Sequence, residues 1–370
     1  MHRSPQGGKG SLALMPSNLE ATQRQRRLKA AVKDRPEPGI WVIDSPMPPV
    51  ADDEVLMRVH RASICGSDIG LYDYSGAYAG FAKLPMIPGH EFSGEVAQLG
   101  AKVTEFRVGE RVFAESILSC GNCRFCLSGQ TNLCTEFKIF GIHRNGGFAE
   151  YASVPQKHLH HMKEGLSFEQ GAIIEPLSVC CHGLEDVAKV NSAESVVVLG
   201  PGPIGLLAGQ VARANGCKNV VISGVDVDAK RLSIAGELGF EAVNSNKDDL
   251  VHRVLDSTSG MGVDLAVVAA GAGAALNQAL ELVRKGGRIL NIAIYPKPIE
   301  VGVTPMVRRE IALLGSFAST WRNYERAVML AVENRVRIEP LITHSFPIAE
   351  APVAFVTAKA REGCKVQLRM

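Results

Sequence analysis

The sequence lacks the features that mark membrane-spanning and nucleic-acid-binding proteins. No apolar run reaches 18 residues, whereas a transmembrane helix needs about 20, so no membrane span is expected. The formal net charge is only +2 and there is no long basic run, so a nucleic-acid partner has no electrostatic support. The apolar patch at residues 12–15 is too short for the core of a signal peptide. The nine cysteines, several of them placed for metal binding, fit a reducing compartment, so a cytoplasmic protein is expected.

The length and the pattern along the chain predict two domains after an N-terminal extension. A chain of 370 residues is long for a single core. Residues 1–27 carry glycines and a basic cluster and are expected to be a disordered tail or a cloning leader, with an organelle transit peptide as the alternative. Residues 29–151 show short alternating strands broken by Gly and Pro, as in a β-rich barrel. Residues 194–316 alternate strands with helices, which indicates a parallel, doubly wound sheet.

Local signals add boundaries to this outline. Ser167 and Gln170 form a capping-box pattern that predicts a helix start. Pro176 is expected to interrupt that helix, because it lacks an N–H. The strand candidates of the second region are 195–199, 220–223, 265–269, 288–293 and 311–314, and a helix is expected at 324–333.

Four cysteines are spaced C-x2-C-x2-C-x7-C: Cys120, Cys123, Cys126 and Cys134. Thiolates this close can converge on one tetrahedral Zn²⁺ ion, and four sulfur ligands leave no open position, so the predicted site is structural. The alternatives are disulfides, which suit secreted chains, and an iron–sulfur cluster, whose bacterial form ends in x3-C-P. The spacing favours zinc. Four other thiols have no metal-like spacing and are expected to be buried: Cys180, Cys181, Cys217 and Cys364.

A glycine loop predicts a dinucleotide site. Residues 200–205 read G-x-G-x-x-G between an apolar strand and a helical segment, which is the context that the motif requires. Gly200 makes the tight turn, Gly202 lets the backbone approach a pyrophosphate, and Gly205 packs the helix on the strand. The candidate cofactor-binding residues are Gly200, Gly202, Pro203, Ile204, Gly205, Gly224, Asp226, Arg231 and Ile292.

The choice between NAD and NADP depends on the end of the second strand. An acid that holds the ribose of NAD is expected about 20 residues after the loop, but Gly224 occupies that position. Asp226 and Asp228 follow and would repel a 2′-phosphate, whereas Lys230 and Arg231 could pair with one. NAD is favoured and NADP stays open.

Three separated segments suggest a second metal site. They contain Cys65, His90 with Glu91, and Glu175. A catalytic zinc ion keeps three protein ligands and one open position. Cys65 and His90, together with a carboxylate, supply such a set.

These motifs together resemble the zinc-dependent medium-chain alcohol dehydrogenases, in the sorbitol and L-threonine dehydrogenase branch. The matching segments are 65–68 (CGSD), 89–96 (GHEFSGEV), the four-cysteine segment, 146–151 (GGFAEY), 175–179 (EPLSV) and 200–205 (GPGPIG). The resemblance implies an α/β protein. Its GroES-like catalytic domain would span 28–177 and be completed by 318–370, and its Rossmann domain would span 178–317.

The resemblance also implies roles for single residues. Cys65, His90 and Glu91 would bind the catalytic zinc, and Glu175 would bind it or hold the zinc water. Two zinc ions per subunit follow. Asp68 would orient His90.

The implied reaction is alcohol oxidation through a zinc alkoxide, with hydride transfer to nicotinamide. Ser67 would be the first proton acceptor. The family usually carries a His five residues after the cysteine; here that residue is Gly70, so the proton must leave through the cofactor ribose, water or another group.

The substrate is expected to be a small-molecule alcohol, first a polyol or other secondary alcohol and second L-threonine. A relative of another class stays open: a cofactor-binding protein without catalysis, although an intact Cys65, His90 and Glu175 set argues against it. A homodimer or homotetramer is expected.

Overall fold

The computed structural model describes residues 27–75, 80 and 82–370. The predicted N-terminal extension therefore lies outside the described residues, except for Arg27. Among the helices of the described part, none has the length and apolar character that crossing a membrane would require.

The first half of the chain and the C-terminus together build a β-rich domain. Its largest sheet has seven strands in the order β16-β17-β3-β4-β5-β9, with β8 also paired to β3. The strands β1 and β2 form an antiparallel pair, and so do β6 and β7. The strands are β1 (Arg27–Val32), β2 (Trp41–Pro46), β3 (Glu54–Ser63), β4 (Glu91–Leu99), β5 (Arg111–Ala114), β6 (Ile117–Leu118), β7 (Lys138–Ile139), β8 (Tyr151–Pro155), β9 (Leu159–His161), β16 (Ile342–Pro347) and β17 (Lys365–Arg369).

The second domain is built on a six-stranded parallel sheet in the order β12-β11-β10-β13-β14-β15. This is the order of a doubly wound dinucleotide-binding sheet, so the predicted fold class is confirmed. Its strands are β10 (Ser195–Leu199), β11 (Asn219–Gly224), β12 (Glu241–Asn244), β13 (Val263–Val268), β14 (Val283–Asn291) and β15 (Ala312–Gly315).

Helices cover the sheets and connect the strands. They are α1 (Gly66–Tyr72), α2 (Arg124–Leu127), α3 (Phe168–Gly171), α4 (Ile174–Cys181), α5 (Pro203–Ala214), α6 (Ala229–Glu237), α7 (Leu250–Ser257), α8 (Gly273–Leu282), α9 (Val303–Arg309), α10 (Trp321–Val332) and α11 (Ala351–Lys359). A π-helical segment, His182–Val187, follows α4 directly.

Alternation along the strands explains how the cores form. Val196 and Val198 of β10 pack in one apolar cluster with Leu206 of α5, whereas Val197 belongs to the cluster on the other side of the sheet. A buried parallel sheet needs apolar side chains on both faces, which the run SVVVL provides. A separate cluster fills the β-rich domain and includes Phe92 of β4.

The capping box at Ser167 is confirmed. The Ser167 Oγ accepts the Gln170 N–H at 3.2 Å, and the Gln170 side chain accepts the Ser167 N–H at 2.7 Å. The helix that begins after Ser167 is interrupted one turn before Pro176, as expected: α3 ends at Gly171, and Pro176 lies inside the next helix, α4. It occupies the first turn, where a missing N–H removes no intrahelical hydrogen bond, and the chain breaks earlier, between α3 and α4.

The strand predictions of the second domain are confirmed with small shifts of their ends, except that β14 begins at Val283 where residue 288 was expected. The helix α10 covers most of the predicted helix at 324–333. The short strand β12 was missed, since two of its four residues are exposed and it carries little apolar pattern. The four thiols that were expected to be buried are buried.

Candidate catalytic cleft and zinc sites

A cleft of 1930 Å³ is lined by both domains. Its walls include the predicted metal and proton-transfer residues and most of the predicted cofactor residues. On the first side these are Cys65, Ser67, His90, Glu91 and Glu175, and on the second side Gly200, Gly202, Pro203, Ile204, Gly224, Arg231 and Ile292. Gly205 and Asp226 are not among the described residues that line it. The predicted metal site and the predicted cofactor site therefore line the same cleft.

The strand pair β3–β4 brings Cys65 and His90 together. Cys65 is the N-cap of α1, just beyond the end of β3, in an extended conformation. Glu91 is the first residue of β4 and lies opposite Ser63 in the ladder. The ligand atoms of Cys65, His90 and Glu91 all lie within 4.8 Å of one another. We call Cys65, His90, Glu91 and Glu175 the Cys65–His90 centre.

Asp68, which was expected to orient His90, lies beside this centre. Its Oδ1 is 3.8 Å from the His90 Nδ1, which is too long for a hydrogen bond, and its Oδ2 accepts the Cys65 N–H at 2.9 Å. Burial opposes a charged His90, but the Asp68 carboxylate and Cys65 outweigh it, so the pKa of His90 is well above its usual range. Protons and a metal ion would therefore compete for this ring.

Lys365 neutralises Glu91 in the interior. Its Nζ lies 2.7 Å from the Glu91 Oε1 and 2.5 Å from the Oε2, and both side chains are buried. Burial alone would lower the pKa of Lys365, yet Glu91 raises it above the usual range. A buried carboxylate is tolerated when it is paired in this way.

Glu175 is buried next to the same group, although its oxygens fall outside the 4.8 Å set. Burial raises the pKa of Glu175 above the usual range; His90 counteracts this and Glu91 adds to it. Glu175 lies in the first turn of α4, so its position depends on the break between α3 and α4.

The donor set of the Cys65–His90 centre fits a zinc ion. A thiol, an imidazole and a carboxylate are all established zinc ligands. Within the described part of the chain, the buried Ser67 Oγ and His90 Nδ1 have no hydrogen-bond partner. A buried polar atom without a hydrogen-bond partner costs free energy of folding. A metal ion and its bound ligand would supply the missing partners.

The four-cysteine lobe, residues 120–134, brings its thiols together. The four Sγ atoms form one group within 4.8 Å, with Cys123 and Cys126 3.5 Å apart and Cys120 and Cys126 3.9 Å apart. In a tetrahedral site with Zn–S bonds of about 2.3 Å, sulfurs lie about 3.8 Å apart, whereas a disulfide bond is about 2.05 Å. All four thiols are free, so the geometry fits a metal and not a disulfide.

The pKa values of the lobe thiols also favour a metal site. Backbone N–H groups of Cys126 and Thr135 lower the pKa of Cys123 to about 5. Burial raises the pKa of Cys126 to about 11. The pKa values of Cys123 and Cys126 are thus shifted in opposite directions, and a Zn²⁺ ion would stabilise the thiolate form of both.

The glycine loop has the geometry that its three glycines predict. A Cβ on Gly200, whose φ is +109°, would lie 2.8 Å from Ala270, and a Cβ on Gly205 would lie 1.9 Å from the Gly200 carbonyl oxygen. Gly202 faces open space and caps α5, with Pro203 in the first turn. Helix N–H groups beside this open approach suit a pyrophosphate.

The end of β11 differs from the prediction in detail. A Cβ on Gly224 would lie 2.6 Å from the Pro201 Cγ, so no side chain fits there. Asp226 is exposed, and its carboxylate accepts hydrogen bonds from Asn244 at 2.8 Å and Asn246 at 3.1 Å. Asp228 is buried and lines the cleft.

Several cleft residues were missed by the sequence analysis. Asn132 donates to the Phe317 carbonyl oxygen at 2.9 Å and lies 3.3 Å from the His182 Nε2, while the His182 Nδ1 lies 3.1 Å from Asp186. They come from the lobe, the π-helical segment and the segment before α10. Lys365 was missed too. No local pattern could find them, since only the tertiary fold brings them together.

The fold and the site together define a zinc-dependent dehydrogenase that uses a nicotinamide dinucleotide. Residues 51–164 match the family model of the alcohol dehydrogenase GroES-like domain, and residues 203–333 match that of the zinc-binding dehydrogenases. The chain belongs to the zinc-dependent medium-chain alcohol dehydrogenase family, and the resemblance found in the sequence is confirmed.

Relatives agree on the family and differ in substrate. The chain is 36% identical to a sorbitol dehydrogenase of Halalkalibacterium halodurans, over 92% of this chain and 99% of that protein. It is 31% identical to an L-threonine 3-dehydrogenase of Pectobacterium atrosepticum, over 92% and 94%. A solved structure from Sinorhizobium meliloti 1021, described as a zinc-binding dehydrogenase bound to NADP, superposes with a TM-score of 0.85 at 30% identity, over 94% of this chain and 100% of that one.

Proposed function

We propose that this chain oxidises a neutral secondary alcohol of the polyol class and passes the hydride to NAD. One zinc ion would be held by Cys65, His90 and Glu91, and a second by the four-cysteine lobe. The observation that carries the proposal is the shared cleft, whose walls contain both the Cys65–His90 centre and the glycine loop.

The residues of the Cys65–His90 centre would have different roles in the reaction. A bound zinc ion would supply Lewis acidity that lowers the pKa of an alcohol. Glu91 is the preferred third ligand because its oxygens join those of the set within 4.8 Å, which leaves Glu175 beside the open position. The unpaired Ser67 Oγ is available to accept the substrate proton. Gly70 lines the cleft and offers no imidazole, so the proton leaves through the cofactor ribose, water or another group.

The charges of the cleft support a neutral substrate. Each Lys or Arg among its described lining residues already contacts a carboxylate of this chain. The pairs are Arg231–Asp228, Arg322–Asp186, Lys359–Asp73, Arg361–Asp228 and Lys365–Glu91. A substrate with its own carboxylate or phosphate would need a cation that is free to bind it.

A polyol instead needs neutral hydrogen-bonding groups, and the Oγ atoms of Ser67 and Ser316, two residues that line the cleft, have no hydrogen-bond partner among the described residues. L-Threonine is the second candidate, and the similarity to threonine dehydrogenases favours it. An amino-acid zwitterion, however, requires one fixed cation and one fixed anion, whereas Asp186 already contacts His182 and Arg322.

We also infer a homodimer or homotetramer in the cytoplasm. The strand β15 lies at an edge of the parallel sheet with Leu313 41% exposed. Val303 and Val307 of the neighbouring α9 are more than half exposed. Exposed edges and apolar side chains are usual at subunit contacts. Light scattering of the purified protein tests the assembly.

The inferred location rests on a separate observation. The nine free thiols suit a reducing compartment such as the cytoplasm.

The test of the function combines a substrate panel with a metal measurement. Protein purified without chelator should contain about two zinc ions per chain and should reduce NAD with sorbitol and related polyols. We expect kcat/KM for the best polyol to exceed that for L-threonine by at least about tenfold, or 1.4 kcal/mol. Removing zinc should abolish turnover and adding it back should restore turnover. Faster oxidation of L-threonine, or a zinc-independent rate, would overturn the proposal.

A further inference from the structure

A buried histidine of β9, His160, lies between two carboxylates. It is 1% exposed. Its Nε2 lies 3.1 Å from the Glu115 Oε1, and its Nδ1 lies 3.1 Å from the Oε1 of Glu325 in α10. An ionised carboxylate only accepts hydrogen bonds, so both ring nitrogens donate and the ring of His160 carries a positive charge.

The carboxylates around His160 stabilise this charge. Burial opposes a charged ring, but the hydrogen bonds with Glu115 and Glu325 outweigh it, so the pKa of His160 is above its usual range. Glu115 also faces His158, with 2.9 Å between its Oε2 and the His158 Nδ1. After His160 itself, two further groups act on Glu325 and lower its pKa: Lys163 and His161. The ring of His160 therefore keeps its charge to a higher pH than an exposed histidine does.

Aromatic rings surround the charged ring of His160. The Trp321 ring stacks on it with 3.7 Å between the ring centroids, and the rings of Phe113 and Tyr324 lie at 5.0 Å and 5.1 Å. A cation is attracted to the face of an aromatic ring. Trp321 is the first residue of α10, and Glu325 lies one turn further along the same helix. The ring contact and the ion pair therefore hold the same end of α10 against β9.

Trp321 lines the cleft on the side of the Cys65–His90 centre. It is 43% exposed and belongs to the cleft wall. The helix α10 packs against α4, the helix that carries Glu175. The Oγ of Ser319, just before α10, lies 2.7 Å from the Ser178 Oγ, which also donates to the Glu175 carbonyl oxygen at 2.7 Å. These hydrogen bonds fix the start of α10 beside Glu175.

We propose that Trp321 packs against the carbon chain of the substrate beyond the reacting carbon, and that His160 is the residue that positions the indole for this contact. The inference rests on the proposed function, because it assumes that a polyol binds at the Cys65–His90 centre. The C–H groups of a polyol chain offer apolar surface, and covering them with an aromatic ring removes that surface from water. His160 is not among the described residues that line the cleft, so it acts through Trp321.

Kinetics with a short and a long alcohol test the role of Trp321. The chain of sorbitol extends beyond the reacting carbon on both sides, whereas propylene glycol is much shorter. Trp321→Ala should lower kcat/KM for sorbitol about tenfold, mainly through KM, and should leave that for propylene glycol within about threefold of normal. The matched control is Met329→Ala, which changes an exposed apolar residue of α10 away from the described cleft lining and should alter neither value.

Fluorescence tests the positioning role of His160 without a substrate. The chain has two tryptophans, so Trp41→Phe leaves Trp321 as the one that emits. A stacked imidazolium quenches indole emission, so the emission should rise as the pH increases through the pKa of His160. Adding His160→Gln should abolish this titration, lower kcat/KM for sorbitol and spare propylene glycol. Adding His161→Gln, a change of the exposed neighbour, should leave the titration in place.

The outcomes separate this inference from the proposed function. Equal losses for both alcohols in Trp321→Ala, or no loss for sorbitol, would overturn the substrate contact. Emission from Trp321 that does not change with pH would overturn the role of His160, and this result requires no substitution at His160 that could unfold the protein. Absence of turnover with both alcohols in the unchanged, zinc-loaded enzyme would instead reject the proposed function.

Discussion

The four-cysteine lobe and the Cys65–His90 centre differ in where their ligands come from. The lobe takes all its thiols from one segment, Cys120 to Cys134, at whose N-terminal end Cys120 is only partly buried. The residues of the Cys65–His90 centre lie at the ends of β3, β4 and α4. The charge of Glu91 is neutralised by Lys365, which is 274 residues away along the chain. A local site can form with its own loop, whereas a dispersed site requires the complete fold.

The electrostatic settings differ as well. In the lobe, backbone N–H groups stabilise thiolates near solvent, as the low pKa of Cys123 indicates. In the Cys65–His90 centre, buried charges face one another and burial raises the pKa of Glu175. We therefore expect changes in the lobe to affect stability and changes in the centre to affect the reaction. The following substitutions test this division.

Cys65→Ser should have the largest effect. It removes the one thiol of the Cys65–His90 centre, so zinc content should fall from two to about one per chain. kcat/KM should fall by roughly a thousandfold, because Lewis-acid stabilisation is worth about 4 kcal/mol. Elemental analysis and steady-state kinetics measure the two effects.

The matched control is Cys217→Ala, which alters a buried thiol away from the cleft lining. It should keep two zinc ions and nearly full turnover. A Cys65→Ser enzyme that keeps its activity would remove Cys65 from the reaction.

Lys365→Met should be the next largest change, and its effect is on stability. It leaves the buried Glu91 without its partner, and breaking a buried ion pair costs about 3 kcal/mol. Chemical denaturation should show the full loss in chelator-treated protein. Zinc that binds Glu91 should restore part of it by mass action.

The double variant Lys365→Met/Glu91→Gln serves as the control, since it removes both charges and should recover most of the stability of the chelated protein. Equal losses with and without zinc in the single variant would argue against Glu91 as a metal ligand.

Cys123→Ser should lower stability by about 2 kcal/mol and spare the chemistry. The lobe would lose the zinc ion that we propose for it, which would stabilise the loop and have no open position for substrate. Thermal unfolding should shift by several degrees, with kcat/KM per correctly assembled subunit within about threefold of normal. Arg124→Ala, an exposed change in the same lobe, should alter neither. Abolished turnover in a stable, assembled Cys123→Ser protein would contradict the structural role.

Local sequence patterns were sufficient to predict the four-cysteine lobe and the glycine loop. The spacing of the cysteines predicted that the four thiols of the lobe gather, and the run from Ser195 to Gly205 predicted the strand, turn and helix that the structure has. In both cases the chemistry lies within one short segment, where spacing and period are informative.

The features that could not be predicted from the sequence depend on contacts between residues that are far apart along the chain. Nothing in the short segment around Lys365 signals a partner for Glu91, and nothing beside Gly224 signals that Pro201 excludes a side chain there. The interruption of the helix before Pro176 was predicted, but the new helix that begins at Ile174 was not, because a proline is common both at helix breaks and in the first turn of a helix. The third zinc ligand stays a prediction, since the sequence offers both Glu91 and Glu175.

Glu175→Gln should have the smallest effect, on kcat. The substitution keeps the size of the side chain and removes a buried charge next to Glu91 and His90. Residues that support a metal site without ligating it typically contribute 10- to 100-fold, so we expect kcat to fall roughly tenfold.

The outcome for zinc separates the two roles that remain open for Glu175. Because its oxygens lie outside the group formed by Cys65, His90 and Glu91, zinc content should stay near two per chain. NADH affinity should also stay unchanged, since Glu175 belongs to the other wall of the cleft. A fall to one zinc ion would instead make Glu175 a ligand. A fully active, zinc-replete Glu175→Ala enzyme would exclude both roles and would leave Ser67 as the residue to examine for proton transfer.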